Sequence, residues 1–167
     1  MIRFIALFLT ASALFAAPAL AHTPQRDVPE AAIDVPEAAQ PATVTVDRFF
    51  AALTAGNLEK AAAELDPGVI ILESGGAERS AEEYLGGHAK ADAEFLKAAE
   101  HRLVHRIARV SGALAWVASE SELVVQQDGK PATILSVETM VLKSTAGGWK
   151  IVHIHWSSRV KKPGQEH

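Results

Sequence analysis

Two groups of residues in this chain stand at spacings that suit proton transfer or coordination. In GWKIVHIHWSSR, Gly148 to Arg159, the residue types read as a β-strand. Strict alternation places Trp149, Ile151, His153 and His155 on one face and Lys150, Val152, Ile154 and Trp156 on the other. Further upstream, His88 and Asp92 lie at i, i+4 on the stripe defined by Tyr84, Leu85, Phe95 and Leu96, so one helix would bring them together. An imidazole and a carboxylate facing a core cost free energy unless they are paired or solvated. Glu138 shares a strand face with Ile134, Ser136, Met140 and Leu142, and Glu73 ends the apolar run from Val69 to Leu72. Together Glu73, His88, Asp92, Glu138, His153 and His155 are expected to line one cavity, near Tyr84. Trp116 and Glu120 are further candidates, whose facing depends on a one-residue register.

Three chemistries fit such a set. The first is binding of a small polar or aromatic molecule through histidine donors and carboxylates, without reaction. In the second, His88 and Asp92 are catalytic, an acid/base dyad whose carboxylate fixes the imidazole tautomer, serving proton transfer, dehydration or double-bond isomerisation. In the third, His153 and His155 chelate Zn²⁺ or Cu²⁺ with His88 and a carboxylate. Simple binding leads, with no cofactor and no metal assigned. Other polar groups read more plainly. His101 and His105 sit among Arg102, Arg106 and Arg109 as a polar sheet edge. Gly75 and Gly76 precede a helix, but no lysine follows as in a phosphate loop.

The elements that must position these residues follow from hydrophobic period and turn residues. Val46, Phe49, Phe50 and Leu53 mark a first helix, ended by Gly56-Asn57. Leu58, Ala61, Ala62 and Leu65 mark a second. Ser80 starts a third, with Glu83 completing a capping box, running to about Ala99. Four strands follow, over 101–110, 113–126, 132–143 and 149–160, with Asp128-Gly129 and Ala146-Gly147-Gly148 as hairpin turns. Helices early and strands late give an α+β class, with helices on one face of an antiparallel sheet. The other sheet face would carry Leu135, Val137, Val141, Val152, Ile154 and Trp156. That is too apolar for water and predicts cover by a second subunit, a homodimer.

The termini read differently. Residues 1–21 form a secretory signal, with basic Arg3, an apolar run from Phe4 to Ala17, and Ala19-Leu20-Ala21 at the cleavage site, so the periplasm is the expected location. Residues 22–42 repeat the unit DVPEAA around Ile33 and carry Pro24, Pro29, Pro36 and Pro41, which predicts a disordered tether. The folded domain is expected over 43–160 and a disordered tail over 161–167. A formal net charge of −4 argues against nucleic acid and anionic membranes as partners. With no cysteine, disulfides, thiolate nucleophiles and Cys-ligated metals are excluded.

The element order, the glycine turn before W-x-I-x-H-x-H-W-S and the ESGG segment at Glu73 to Gly76 resemble the nuclear transport factor 2-like superfamily. This group includes SnoaL-like polyketide cyclases, ketosteroid isomerases and the association domain of calmodulin-dependent kinases. The resemblance implies a cone-shaped, cystatin-like α+β fold, with three helices packed on a curved sheet, a pocket between them and frequent dimerisation. It covers Thr43 to Arg159. Members include enzymes, small-molecule binders and assembly modules, so fold alone does not select the activity. The isomerases oppose a general-base carboxylate with a tyrosine and a neutral acid. Here the one tyrosine, Tyr84, falls on a helix. Dehydratase-like members use a His/Asp pair, which this chain could supply.

Overall fold

The computed structural model describes residues 30–162; the expected signal segment, the first part of the tether and the end of the tail lie outside them. The chain runs β1 (Ala32–Asp34), a 3-10 turn (Glu37–Ala39), α1 (Gln40–Thr54), α2 (Leu58–Glu64), β2 (Leu65–Glu73) and β3 (Gly76–Glu78). It continues through α3 (Ala81–Gly86), α4 (Ala89–Ala98), β4 (Glu100–Ser111), β5 (Leu114–Gln127), β6 (Lys130–Thr145) and β7 (Gly148–Val160). Among the described residues the strands form one seven-stranded sheet in the order β1-β4-β5-β6-β7-β2-β3. The helices pack on one face of this large, curved, unclosed sheet, and the class is α+β.

The expected four-strand meander is its centre, β4 to β7. The sheet is mixed, however, not purely antiparallel, because β1 joins β4 and β2 joins β7 in parallel. The core forms where α1 lies on the central strands. Val46, Phe49 and Leu53 are fully buried against Val117, Met140, Leu142, Ile151 and Ile154, at roughly 1.5–3 kcal/mol for each such side chain.

Local signals explain the connections. The Asn57 side chain accepts from Lys60 N at 3.0 Å and starts α2. Ser74 and Gly75 both adopt positive φ, 49° and 86°, which makes the two-residue turn that folds β3 back on β2. The Ser80 hydroxyl accepts from Glu83 N at 3.0 Å, while the Glu83 carboxylate accepts from Arg79 N at 2.7 Å.

Several expectations change. The segment expected to be a tether as far as Ala42 is folded at its end. Ala32–Asp34 adds an edge strand, and the Arg109 guanidinium grips the Asp34 carboxylate, at 2.6 Å for its closer contact. Pro36 precedes a 3-10 turn and Pro41 sits in the first turn of α1, where a proline costs no hydrogen bond, so the proline spacing does not keep this segment from folding. The single third helix is two, because Gly86-Gly87 interrupts it between α3 and α4. Two strands also bulge. In β4 the pairing with β5 slips between Leu103 and His105, and in β7 Val152 has no partner on β6, since Ile151 stands opposite Leu142 and His153 opposite Val141. The second bulge reverses the facing of everything after it in β7.

Candidate functional site

Between α1, α4 and the sheet lies a cavity of about 80 Å³, room for several waters. Its apolar wall is built by helix side chains, Phe50 and Leu53 from α1 and Phe95 and Leu96 from α4, with Leu123 from β5. Its polar floor comes from the sheet. Because directly paired residues share a face, the register fixes two rows. Ser119, Glu138 and Trp156 lie side by side on β5, β6 and β7. Ser121, Ser136 and Ser158 form the next row. Glu73, at the end of β2, and Asp92, on the first turn of α4, complete the lining.

These polar groups are tied together. The Trp156 indole N–H donates to the Glu138 carboxylate at 3.1 Å, and the Ser119 hydroxyl donates to the same carboxylate. Arg106 in turn donates through Nε to Ser119 Oγ at 3.1 Å and is held by Asp47 at 2.6 Å. Tyr84 is buried and donates its hydroxyl proton to Asp92 Oδ2 at 2.9 Å. His101 meets Ser121 Oγ through Nε2 at 3.0 Å, with its ring 4.7 Å from that of Phe50. Trp156 packs between two rings, Phe49 at 6.4 Å and Tyr84 at 6.2 Å between centroids.

Desolvation dominates the electrostatics. Burial pushes the Glu138 carboxyl above its ordinary value, against the bonds from Trp156 and Ser119. Burial also raises Glu73, and the negative charge of Asp92 raises it further. Asp92 is raised by burial against the opposing bond from Tyr84. Burial depresses His101, with Arg106 adding to the effect, which favours a neutral ring. A carboxyl held above its usual range keeps its proton to a higher pH than a solvated one does.

Of the residues expected from sequence, Glu73, Asp92 and Glu138 line this cavity, and Tyr84 stands behind Asp92. His88 does not form the expected dyad with Asp92. With the helix broken at Gly86-Gly87, it becomes the residue preceding α4, its side chain 68% exposed, and its Nδ1 meets Glu78. That contact raises the His88 pKa. Asp92 bonds Tyr84 instead.

His153 and His155 are not with the cavity residues. The Val152 bulge turns Ile154 and Trp156 inward, leaving His153 beside Val141 and Ile70 and His155 beside Thr139 and Leu72 on the outer face. His153 Nδ1 lies 2.9 Å from the Ile70 carbonyl. Trp116, opposite Val141, is outside as well, 40% exposed. Among the described residues no group of three or more His, Asp or Glu is placed to hold a metal ion.

Sequence reasoning missed His101, the four serines and Trp156. A signal for Trp156 was present: Ile151 and Ile154 are three apart, and both are fully buried, which strict alternation does not allow.

A SnoaL-like domain model matches residues 43–161. The chain belongs to the SnoaL-like domain family. A solved structure of a candidate ketosteroid isomerase from Shewanella frigidimarina is 34% identical, covering 76% of this chain and all of that one, with a TM-score of 0.67. A candidate calcium/calmodulin-dependent protein kinase II association domain from Xanthomonas campestris is 23% identical over 81% of this chain and 97% of its own, with a TM-score of 0.61. A candidate dehydratase of the nuclear transport factor 2-like family from Streptomyces avermitilis is 18% identical, covering 72% of this chain and 95% of its own, at TM-score 0.58. The last two show the fold alone. No curated protein matches the chain in sequence.

In this SnoaL-like domain, Glu73 gives a direct test of the cavity's electrostatics. Its raised pKa means that the folded state holds the proton more tightly than the unfolded state. The resulting penalty is absent below the ordinary carboxylate pKa and grows as pH rises through the folded value. Glu73→Gln removes it. The variant should melt with the wild type below the ordinary carboxylate range and above it at pH 8, by an amount that solvent screening of this half-exposed carboxyl keeps small. A melting-temperature difference that is flat with pH would contradict the account.

Proposed function

We propose that this SnoaL-like domain binds a small, mainly apolar molecule in the cavity between α1, α4 and the sheet. The supporting observation is the division of the lining: Phe50, Leu53, Phe95 and Leu96 on one side, and serine, carboxyl and indole groups of three adjacent strands on the other. An apolar wall supplies affinity, and a few converging polar groups fix orientation. A second reading, acid/base catalysis, is favoured by the Tyr84–Asp92 bond and the raised carboxyls of Asp92 and Glu138. The names of the Shewanella and Streptomyces proteins lean the same way. In this reading the proton-transfer groups are Asp92 and Glu138, with Tyr84 positioning Asp92. His88 is outside the cavity lining and bonds Glu78, so in this reading it acts on Asp92 only through its charge.

The second part of the proposal is a homodimer through the outer sheet face. Ile70, Leu72, Trp116 and Val137 are 47%, 38%, 40% and 46% exposed there, a clustering uncommon on a monomer's surface. The Xanthomonas structure is named as an association domain and a similar one from S. rosetta as a hub, which lends support to self-association. The third part is a periplasmic location, resting on the leader-like residues 1–21.

Binding is tested with 2-phenylethanol as a neutral probe. Calorimetry should give one saturable site with Kd about 0.1–1 mM, as expected for so few atoms. Ser121→Phe, which fills the floor, should abolish it, while Trp116→Phe on the outer face should not. Sedimentation at micromolar concentration should find a dimer for the wild type and a monomer for Val137→Glu, since a charge buried in an apolar interface is costly. A wild-type monomer would refute the dimer. Cell fractionation should recover from the periplasm a chain that starts at His22.

A further inference from the structure

The charges around the cavity do not balance, and the imbalance indicates what kind of molecule it takes. Three carboxyls line it, Glu73, Asp92 and Glu138, and among the described residues no lysine or arginine does. Each nearby basic group is already engaged. Arg106 of β4 is held by Asp47 of α1 and bonds Ser119, so its charge acts on Glu138 from beyond that serine, as a minor effect beside burial. His88 lies outside the lining, largely exposed and held by Glu78 of β3, and its charge offsets Glu73 and Asp92 only in part, since burial still raises both. His101 of β4 meets Ser121 in surroundings that favour its neutral form. Tyr84 and Trp156 give Asp92 and Glu138 one neutral hydrogen bond each, and among the described residues no side chain donates a hydrogen bond to Glu73.

We infer that the cavity selects ligands that carry a positive charge, an ammonium group on a compact apolar body, and discriminates against anions. The inference rests on the ligand-binding reading above and names the class of ligand. Apolar surroundings strengthen the attraction between a bound ammonium and a carboxylate, and the rings of Phe50, Phe95 and Trp156 lining the same space favour a cation over their faces. An anion entering would meet three carboxyls and, among the described residues, no lysine or arginine in the lining. The raised pKa values of these carboxyls add a signature: an incoming ammonium favours their ionised forms, so binding expels protons.

The test compares 2-phenylethylamine, 2-phenylethanol and phenylacetate, three probes of one shape and different charge, by calorimetry on the full mature protein. At pH 8 the amine should bind at least tenfold more tightly than the alcohol, and phenylacetate more weakly than both. The amine advantage should shrink severalfold as the pH is lowered from 8 to 5, because each proton taken up removes a carboxyl's charge. The enthalpy of amine binding should also vary with the ionisation enthalpy of the buffer. Glu73→Gln and Asp92→Asn should each lower the amine-to-alcohol affinity ratio threefold or more, while Asp34→Asn at the far sheet edge leaves the ratio unchanged. Equal binding of amine and alcohol, or a preference for phenylacetate, overturns the charge selection and leaves the cavity reading standing. Failure of all three probes to bind overturns both.

Discussion

The unpaired residue Val152 in β7 governs much of the site, because a strand's side chains alternate and one inserted residue exchanges the two faces from there on. Ile151 faces the helices before the bulge, and Ile154 and Trp156 face them after it. Both isoleucines are fully buried beneath α1, a gain that a regular strand would forfeit for one of them. The bulge also sets Trp156 beside Glu138 in the central row, where its indole N–H satisfies a carboxylate that would otherwise be costly to keep in the cavity. The chain accommodates the bulge on the neighbouring strand. Opposite Val152, β2 loops through Asp66-Pro67-Gly68 before it rejoins β7 at Ile70, and Asp66 fixes that loop by accepting from Gly68 N and pairing with Lys143.

The same geometry explains why the polar floor is uneven in charge. β4 contributes Arg106, whose guanidinium is spent on Asp47 and Ser119, so its charge reaches Glu138 only weakly. β2 and α4 each bring one carboxyl to the cavity without bringing a cation. Such an arrangement opposes folding, as the upward shifts of Glu73, Asp92 and Glu138 indicate. Local instability of this kind tends to sit where chemistry or binding takes place. The apolar contacts of Phe49, Val46 and Leu53 carry the fold and leave the floor free to be suboptimal.

The sequence made the elements legible far better than their facing. Hydrophobic period located α1 and α2, Ser80 and Glu83 located the start of α3, and the turn residues separated the four long strands. Glu73, Asp92 and Glu138 were legible as cavity residues from their places in apolar patterns: Glu73 ends the run from Val69 to Leu72, Asp92 lies on the stripe of Tyr84, Leu85, Phe95 and Leu96, and Glu138 shares a strand face with Met140 and Leu142. The histidines misled for two distinct reasons. His153 and His155 lie beyond a bulge that alternation does not reveal, although the three-residue interval between Ile151 and Ile154 encodes it. His88 was assigned to a continuous helix, while Gly86-Gly87, two poor helix formers in succession, ends α3 just before it. His101 was hidden by company, since three arginines nearby gave its strand the look of a surface. In fact β4 bulges at Val104, so His101 and Arg106, one on each side of the bulge, both face inward.

Once its facing is known, the sheet divides the functional possibilities between its two sides. The helix-covered side holds the carboxyls that burial perturbs, with Tyr84, Trp156 and Arg106 tied into the same network of side chains. The outer side carries Ile70, Leu72, Trp116 and Val137 with His153 and His155, apolar and imidazole groups in adjoining rows without a covering element among the described residues. The two sides are not independent, because β7 presents Trp156 to one and His155 to the other from consecutive positions.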